Sequence, residues 1–362
     1  MHITTVTAQK WTLPLREPFI IAQRHAVEAQ NVLVRISSYD GEFEGVGASA
    51  PVQYVTGESI ESVITDVERY AEAVAVHPRH SLDSYLDLAH EVLSGKPAAR
   101  AGVEIALYDL WAKSLSINLL VHFGGRASTL VTDLTLPISD PKVAFDRARA
   151  AAHVGYGQLK VKVGSPNGVE DDILMLTAVI KGAPDVKIRI DANQAYNTAD
   201  AIVFSRRAYE ISSNIELIEQ PVDKQDVQGL AEVKRSAQLP IFADEAACSI
   251  DQVRALIKLN AVDGINVKLM KCGIKMAQEI IEVCQNNNIK LMLGCMLETE
   301  LGIAAACTLA AGTNAFDYID LDSHNLLKPV SNIHNACFEQ ICDKIMVHEH
   351  NITGWGISVD QQ

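Results

Sequence analysis

The chain has 362 residues, of which 48% are hydrophobic and 21% charged, and its formal net charge at pH 7 is −14. This length allows a large buried core and predicts two domains. The negative charge argues against a nucleic-acid partner, and no apolar run approaches the roughly 18 residues that a membrane-spanning helix needs. An anionic substrate is not excluded, because the electrostatic potential of a site is local.

Seven cysteines lie between Cys248 and Cys342, and none forms a Cys-x-x-Cys pair. An odd number of cysteines without such spacing predicts free thiols in a reducing compartment. The N-terminus also lacks the basic and apolar regions of a signal peptide. Together these features predict a cytoplasmic protein.

Residues 1–125 have the pattern of a separate α+β unit. Val32–Ile36 and Glu42–Val46 alternate in polarity around the turn residues Asp40-Gly41, which predicts a β-hairpin. Apolar residues with helical spacing follow at Ser59–Ala75, Ser81–Leu93 and Ala98–Ser114. Strands followed by a run of helices are typical of an α+β domain.

From residue 126 to residue 330, short apolar runs alternate with helical patterns, and eight such runs can be counted. Six of the runs carry a charged residue where they end, namely Lys162, Asp191, Glu219, Asp244, Lys268 and Asp320. The first five of these are 29, 28, 25 and 24 residues apart, which is the length of one strand–helix unit. The period predicts an α/β fold, a TIM-like (β/α) barrel whose charges gather at its catalytic face. Residues 331–362 have no ninth unit, and we expect this tail to pack on the first domain.

Three carboxylates, Asp191, Glu219 and Asp244, end the predicted third, fourth and fifth strands. Neighbouring strand ends would bring them within a few ångströms of one another, where they could not all stay ionised without a cation. An all-oxygen donor set selects Mg²⁺, with Mn²⁺ as a possible substitute. Each acid alone could equally be a strand-end or helix-cap residue. Their shared position and period favour a metal site.

Lys160 and Lys162 are two residues apart on the second strand, so both should face the barrel interior. Lys268 ends the sixth strand, which lies opposite the second in an eight-stranded barrel. We expect the like charges of Lys160 and Lys162 to lower the pKa of at least one of these two lysines, so that its amine can act as a base. Two opposed amines could remove a proton from a carbon on one side and return one on the other. Alternatively, the lysines could bind a substrate anion.

These residues resemble the enolase superfamily, within its muconate-lactonizing-enzyme-like subgroup. The matching segments are Lys160-Val-Lys162, Asp191-Ala-Asn193, Glu219-Gln-Pro221, Ala243-Asp244-Glu245 and the run from Asn266 to Gly273. The resemblance implies a barrel capped by the N-terminal region and completed by the C-terminal tail. It also implies one Mg²⁺ per subunit on the three carboxylates, acid/base catalysis by Lys162 and Lys268, and contact between Lys160 and the substrate. One departure is Cys272-Gly273, where relatives often carry two glycines.

Within the subgroup, Asp320-Leu-Asp322 resembles the dipeptide epimerases, which implies a site for the α-ammonium group of a dipeptide. The run Gly294-Cys-Met-Leu-Glu298 shares this resemblance and implies that Cys295 and Met296 contact the substrate. The resulting prediction is a Mg²⁺-dependent dipeptide epimerase that inverts the α-carbon of the C-terminal residue through an enediolate. The alternatives are an o-succinylbenzoate synthase, an N-acylamino acid racemase or a lactonizing enzyme of the same subgroup. An alternative of another class is a metal-binding barrel without catalysis.

Two segments of the first domain, Phe19–Ala29 and Pro51–Glu58, are expected to form loops that close over the substrate. Arg24 lies in the first segment, where the resemblance implies a basic residue that meets a glutamate side chain. L-Ala-D/L-Glu is therefore the leading substrate. We expect a small dipeptide and further copies of this chain as partners, and neither nucleic acid nor membrane.

Overall fold

The computed structural model describes residues 2–21, 24–38, 41–77, 79–350 and 352–360, with the backbone alone described at residues 19–21, 24 and 25. Within these ranges, no helix is both long and apolar enough to cross a lipid bilayer. The chain forms an N-terminal antiparallel sheet with helices, a central eight-stranded parallel sheet, and a set of short C-terminal strands.

The N-terminal sheet has the strand order β1-β2-β3 and is covered by helices. Its elements are β1 (Ile3–Ile21), β2 (Arg24–Ser38), β3 (Glu44–Ser49), α1 (Gln53–Thr56), α2 (Ile60–Val76), α3 (Leu82–Val92), α4 (Pro97–Ser114) and α5 (Leu119–His122). The predicted hairpin is β2 with β3, and the three predicted helices are α2, α3 and α4. Strand β1 was not predicted, although Trp11, Leu13 and Leu15 alternate with more exposed residues and are buried. Strand β3 lies so close to α4 that a Cβ on Gly47 would be 2.1 Å from the carbonyl oxygen of Gly102.

The expected loop at Phe19–Ala29 is instead the paired end of the β1–β2 hairpin. Phe19 pairs with Ala26, and Ile21 pairs with Arg24, across the two antiparallel strands. The expectation of a loop was wrong because ladder hydrogen bonds continue almost to the hairpin tip. The side chain of Arg24 lies outside the described part of the structure. The second expected segment, Pro51–Glu58, contains the single turn of α1.

The central sheet confirms the predicted barrel of eight parallel strands. Its strands are β5 (Leu134–Leu136), β6 (Gln158–Lys162), β7 (Lys187–Asp191), β8 (Ile215–Glu219), β9 (Ile241–Ala243), β10 (Gly264–Val267), β11 (Lys290–Gly294) and β12 (Tyr318–Asp320), preceded by β4 (Ser128–Val131). The helices between them are α6 (Pro141–Val154), α7 (Val169–Gly182), α8 (Thr198–Ile211), α9 (Val227–Ser236), α10 (Ile250–Lys258), α11 (Leu269–Asn286) and α12 (Glu300–Thr313). A parallel bridge between Thr132 and Ile319 joins the first strand region to the last and closes the barrel.

Side chains of different character fill the two ends of the barrel interior. At the end where the strands begin, Leu217, Phe242 and Met292 form a small apolar cluster. Arg189 donates a hydrogen bond to Asp133 at 2.9 Å beside this cluster. Charged residues fill the end where the strands finish. The barrel interior is therefore packed with apolar side chains at one end and with polar side chains at the other.

The tail after the barrel begins with a 3₁₀ helix (Ser323–Leu326) and continues as short strands. These are β13 (Ile333–Asn335), β14 (Phe338–Ile341), β15 (Lys344–Val347) and β16 (Ile357–Val359). Strand β15 pairs with β4, and β13 pairs with β16. Trp355 is buried against α4, where its indole nitrogen donates a hydrogen bond to the carbonyl of Ile105 at 2.8 Å.

We expect Trp355→Ala to lower the free energy of unfolding by about 3–5 kcal/mol, the usual cost of removing a large buried aromatic side chain. The ring is 1% exposed and stacks on Phe123 with centroids 6.2 Å apart. Trp355→Phe, which keeps an aromatic ring but not the hydrogen bond, should cost less. Urea unfolding followed by circular dichroism measures both changes. A wild-type midpoint for Trp355→Ala would contradict this account of how the tail is docked.

Candidate active site

A cavity that is open to solvent lies where the barrel strands end. Of the residues singled out in the sequence, those that line the cavity are Lys160, Lys162, Asp244, Lys268, Cys295, Met296, Asp320 and Asp322. Asp191 and Glu219 contact the same lysines and are fully buried. Val52, Tyr54 and Val55 line the cavity from the N-terminal domain. The structure thus gathers residues from all along the chain into one place.

The carboxylates of Asp191, Glu219 and Asp244 form a compact group. The register of β7 and β8 puts Asp191 beside Glu219, and Asp244 directly follows the neighbouring strand β9. One oxygen from each carboxylate lies within 4.8 Å of the others. Oxygens bound to a common Mg²⁺ lie within about 4.2 Å of each other, given bond lengths of about 2.1 Å. The three residues therefore fit a magnesium site after a small contraction.

Buried amide side chains bond to two of these three residues, to the carboxylate of Glu219 and to the backbone of Asp244. The amide of Asn266 donates a hydrogen bond to Glu219 Oε1 at 2.7 Å. Gln220 Oε1 accepts hydrogen bonds from the backbone nitrogens of Asp244, at 3.0 Å, and Ala246, at 3.1 Å. Glu219 Oε2 accepts no hydrogen bond from any described residue and lies 2.8 Å from Lys160 Nζ. A buried carboxylate oxygen whose near partner is a cation is chemically suited to a metal ion as well.

Ionisation in this group follows from burial and from neighbouring charges. Burial, with the further repulsion of Asp191, raises the pKa of Glu219 to about 8. Burial opposes the ionisation of Asp191 as well, but Lys160 and Lys162 outweigh it and hold the pKa of Asp191 well below its usual range. The same balance, with Lys268 and Lys271 as the cations, lowers the pKa of Asp244.

The two candidate bases lie on opposite sides of the barrel, and each contacts a different carboxylate of this compact group. Lys162, on β6, donates a hydrogen bond to Asp191 at 2.6 Å. Lys268, directly after β10, donates one to Asp244 at 2.7 Å. In a closed sheet of eight strands, β6 and β10 are four strands apart in both directions. The two amines therefore reach the cavity from opposite walls.

Lys160 also lines the cavity, and its amine bridges three acids. Its Nζ is 3.0 Å from Asp191, 2.8 Å from Glu219 and 2.7 Å from Asp320. It is 1% exposed. This position ties the carboxylate group on β7 and β8 to the acid on β12.

The expected lowering of a lysine pKa within the pair Lys160 and Lys162 is wrong for Lys160. Burial alone would lower the pKa of Lys160, but Asp191, Asp320 and Glu219 outweigh it and raise that pKa well above its ordinary value. For Lys268, Asp244 similarly outweighs burial and raises the pKa. The expectation considered repulsion between lysines and omitted the larger attraction of the carboxylates around them.

The acid pair at the end of β12 faces the cavity, but only Asp320 belongs to the strand. Pairing with β11 ends at Asp320, and the chain then turns into the 3₁₀ helix, so Asp322 lies beyond the strand. The carboxylate of Asp322 accepts a hydrogen bond from the backbone nitrogen of Thr135 at 2.6 Å. Burial and the nearby Asp320 raise the pKa of Asp322 to about 6. A cationic group bound between the two acids would relieve this repulsion.

Four further residues of the site were not singled out from the sequence. Lys271 donates a hydrogen bond to Asp244 at 2.6 Å, and Asn193 accepts one from Lys162 at 3.1 Å. Glu245 accepts one from Asn193 at 3.2 Å, and burial followed by repulsion from Asp244 raises its pKa to about 7. Tyr54 of α1 covers the cavity from the N-terminal side. The first three lie within the quoted matching segments, which was the available signal.

Comparison with known proteins agrees with this fold and site. Residues 2–124 match the mandelate racemase/muconate lactonizing enzyme N-terminal domain, and residues 144–362 match the family described as enolase C-terminal domain-like. The chain belongs to the enolase superfamily, in the group of mandelate racemase and muconate lactonizing enzyme.

Two relatives show how the similarity extends along the chain. A hydrophobic dipeptide epimerase of Enterococcus faecalis is 33% identical over 326 residues, which cover 89% of this chain and 91% of that protein. An L-Ala-D/L-Glu epimerase of Bacillus subtilis is 33% identical over 333 residues, which cover 91% of this chain and 90% of that protein.

Two solved structures are similar over almost the entire chain. The substrate-liganded L-Ala-D/L-Glu epimerase from Bacillus subtilis superposes with a TM-score of 0.93 at 31% identity and full coverage of both chains. The Enterococcus faecalis dipeptide epimerase complexed with Mg and L-Leu-L-Tyr superposes with a TM-score of 0.90 at 32% identity, covering 99% of this chain and 100% of that one.

Proposed function

We propose that this protein is a Mg²⁺-dependent dipeptide epimerase that inverts the α-carbon of the C-terminal residue of a dipeptide. The observation that carries the proposal is the opposition of Lys162 and Lys268 across a cavity beside three buried carboxylates. A lone base could exchange a proton, but inversion needs a proton acceptor on one face of the reacting carbon and a proton donor on the other. The activities named for the relatives support the same reaction.

The lysines carry the proton steps. One Nζ removes the α-proton, and the opposite Nζ returns a proton on the other face, so the configuration at the α-carbon inverts. Lys160, which lines the same cavity, orients the substrate carboxylate. Mg²⁺ held by Asp191, Glu219 and Asp244 would supply positive charge to offset the negative charge that develops on that carboxylate.

Asp320 and Asp322 select a substrate with a cationic far end. The α-ammonium group of a dipeptide would pair with both acids, whereas an N-acylated amino acid or an o-succinylbenzoate precursor would leave Asp322 without a cation and Asp320 with Lys160 alone. This difference favours the epimerase over the racemases, synthases and lactonizing enzymes of the same group. The two opposed lysines also argue against a barrel that only binds metal.

A library of L-Ala-X dipeptides and their N-acetylated forms tests the proposal. Each compound is incubated with the protein in deuterated water, with Mg²⁺ or with a chelator, and deuterium at the α-carbon is measured by mass spectrometry. We expect exchange in free dipeptides with Mg²⁺, and little in the acetylated forms. Exchange confined to N-acylated compounds would favour the racemase instead, and no exchange in any dipeptide would refute the epimerase.

L-Ala-D/L-Glu is the proposed substrate pair, with Arg24 as the partner of the glutamate side chain. A hydrogen bond to a charged group contributes about 1.5–3 kcal/mol, so Arg24→Met should lower kcat/KM for L-Ala-L-Glu by about 10- to 100-fold. The same variant should leave L-Ala-L-Met within a few fold. Arg69→Met, an exposed arginine on α2, is the matched control. Equal losses on both dipeptides would contradict the assignment of Arg24.

We further propose that the enzyme works in the cytoplasm as a homo-oligomer. Seven cysteines without a disulfide support the first statement, because free thiols persist in reducing compartments. Light scattering on purified protein tests the second, and a monomer at micromolar concentration would contradict it.

A further inference from the structure

A buried carboxylate of the N-terminal domain caps a barrel helix directly after a catalytic residue. Glu104, on α4, is fully buried. Its Oε2 accepts hydrogen bonds from the backbone nitrogens of Ile274, at 2.6 Å, and Lys275, at 2.9 Å. These two residues begin the main part of α11, after a break at Gly273 (φ 76°, ψ −178°). An anionic group at this position satisfies free N–H groups and stabilises the helix dipole.

The carboxylate of Glu104 lies so close to Gly273 that no side chain fits between them. A Cβ on Gly273 would lie 2.7 Å from both carboxylate oxygens of Glu104. Arg100, one turn earlier on α4, donates a hydrogen bond to the carbonyl of Cys272 at 3.0 Å. On the domain side, His90 Nε2 lies 2.9 Å from Glu104 Oε1. Arg100 and Glu104, on adjacent turns of α4, therefore form hydrogen bonds with the chain on either side of Gly273.

One helical turn lies between these hydrogen bonds and Lys268. The backbone nitrogen of Lys271 donates a hydrogen bond to the Lys268 carbonyl at 2.9 Å, and the Cys272 thiol lies 3.4 Å from the same oxygen. The Lys271 side chain fixes the turn from the barrel side through Asp244. The departure from two glycines at Cys272-Gly273 keeps this geometry, because the glycine that the close approach requires is present.

The opposite base has no such contact with the N-terminal domain among the described residues. After Lys162, the backbone nitrogens of Gly164 and Ser165 each donate a hydrogen bond to Asp172 at 3.0 Å. Asp172 is on α7, so the loop after Lys162 is held from within the barrel. The two bases are thus positioned by different parts of the molecule.

We propose that Glu104 is a positioning residue that sets the place of Lys268, and not of Lys162, relative to the substrate. This inference rests on the proposed function, because it concerns one of the two bases of that reaction. It predicts that loss of Glu104 impairs proton transfer on one face of the α-carbon more than on the other. A displacement of about 1 Å can cost about 100-fold in rate, so a loosened Lys268 should impair one face of the reaction.

Loss of one base separates exchange from inversion. The diastereomer whose α-hydrogen faces Lys162 still gives its proton to Lys162 Nζ, which exchanges it with solvent and returns a deuteron to the same face. The other diastereomer must react through Lys268, so its exchange falls. Inversion falls from both sides, because each inversion needs both lysines.

Glu104→Gln tests the proposal with L-Ala-L-Glu and L-Ala-D-Glu in deuterated water with Mg²⁺, with exchange and inversion followed by proton NMR. We expect inversion and the exchange of one diastereomer to fall by at least about tenfold, while the exchange of the other stays within about threefold of wild type. Asp109→Asn is the control, because Asp109 is a fully buried carboxylate on the same helix that bonds Val46 and Trp355 instead. Its effect on the two exchanges should be equal.

Equal loss of both exchanges in Glu104→Gln, or no change in either, would overturn the inference alone. Wild-type protein that exchanges neither diastereomer would overturn the proposed function, and the inference with it. If circular dichroism shows that Glu104→Gln does not fold, Glu104→Asp carries the same test, because its shorter side chain withdraws the carboxylate from the backbone nitrogens of Ile274 and Lys275.

Discussion

Lys162→Ala and Lys268→Ala should each reduce epimerisation by about 10²- to 10⁴-fold, the usual contribution of a positioned general acid or base. Each lysine contacts a different carboxylate and reaches the cavity from its own wall, so neither can replace the other. The loss should appear in kcat, since the proton steps are the chemistry. Measurement of inversion by NMR or polarimetry, with Lys344→Ala as an exposed control, gives the effect of each lysine.

The two lysine variants should also give mirror-image exchange patterns. Lys268→Ala should keep α-deuterium exchange for one diastereomer, and Lys162→Ala should keep it for the other. A variant of either lysine with full epimerase activity would contradict the two-base scheme. Retention of exchange for the same diastereomer in both variants would contradict the opposed placement of the amines.

Removal of divalent metal should abolish activity, and Mg²⁺ should restore it. Bound metal should also stabilise the fold by about 2.7 kcal/mol when its concentration is 100 times the dissociation constant. This gain can be followed by thermal unfolding without any substrate. We expect Glu219→Gln to lose most of it, because one of the three carboxylates is gone.

Substitution of Asn266, which supports Glu219, should weaken Mg²⁺ binding without removing one of the three carboxylates. Asn266 donates a hydrogen bond to Glu219 at 2.7 Å, and such supporting contacts typically contribute 10- to 100-fold to metal affinity. Asn266→Ala should therefore weaken Mg²⁺ by about that factor. Glu216→Gln, an acid on the same strand β8 that is bonded to Arg189 rather than to this group, is the matched control. Unchanged Mg²⁺ affinity in Glu219→Gln would show that the metal binds elsewhere.

The barrel and its charged rim were predictable because their signal is local and repeated. A strand–helix unit fixes the spacing of Asp191, Glu219 and Asp244, and closure of the barrel then makes them neighbours. Counting strands also placed Lys162 opposite Lys268. Strand β1 was not predicted, although residues alternate in polarity around Trp11 and Leu13, because the turn signal at Asp40-Gly41 marks only the hairpin of β2 and β3.

The features that escaped prediction depend on contacts between distant segments. The raised pKa of Lys160 results from acids on β7, β8 and β12 together, which no single spacing reveals. The position of Asp322 beyond the strand depends on where pairing with β11 ends, which the sequence around Asp320 does not mark. The role of Glu104 could not be read from its helix, because the backbone groups that it caps lie 170 residues further along the chain.

The central claim is two-base proton transfer on a free dipeptide, and one measurement addresses it directly. Wild-type protein with Mg²⁺ is given L-Ala-L-Glu in deuterated water, and the early L-Ala-D-Glu product is isolated and examined by NMR. The account predicts one deuterium at the α-carbon of every inverted glutamate, because the returning proton comes from a solvent-exchanged lysine. Inverted product that keeps its original α-hydrogen, or no inversion at all, would contradict it.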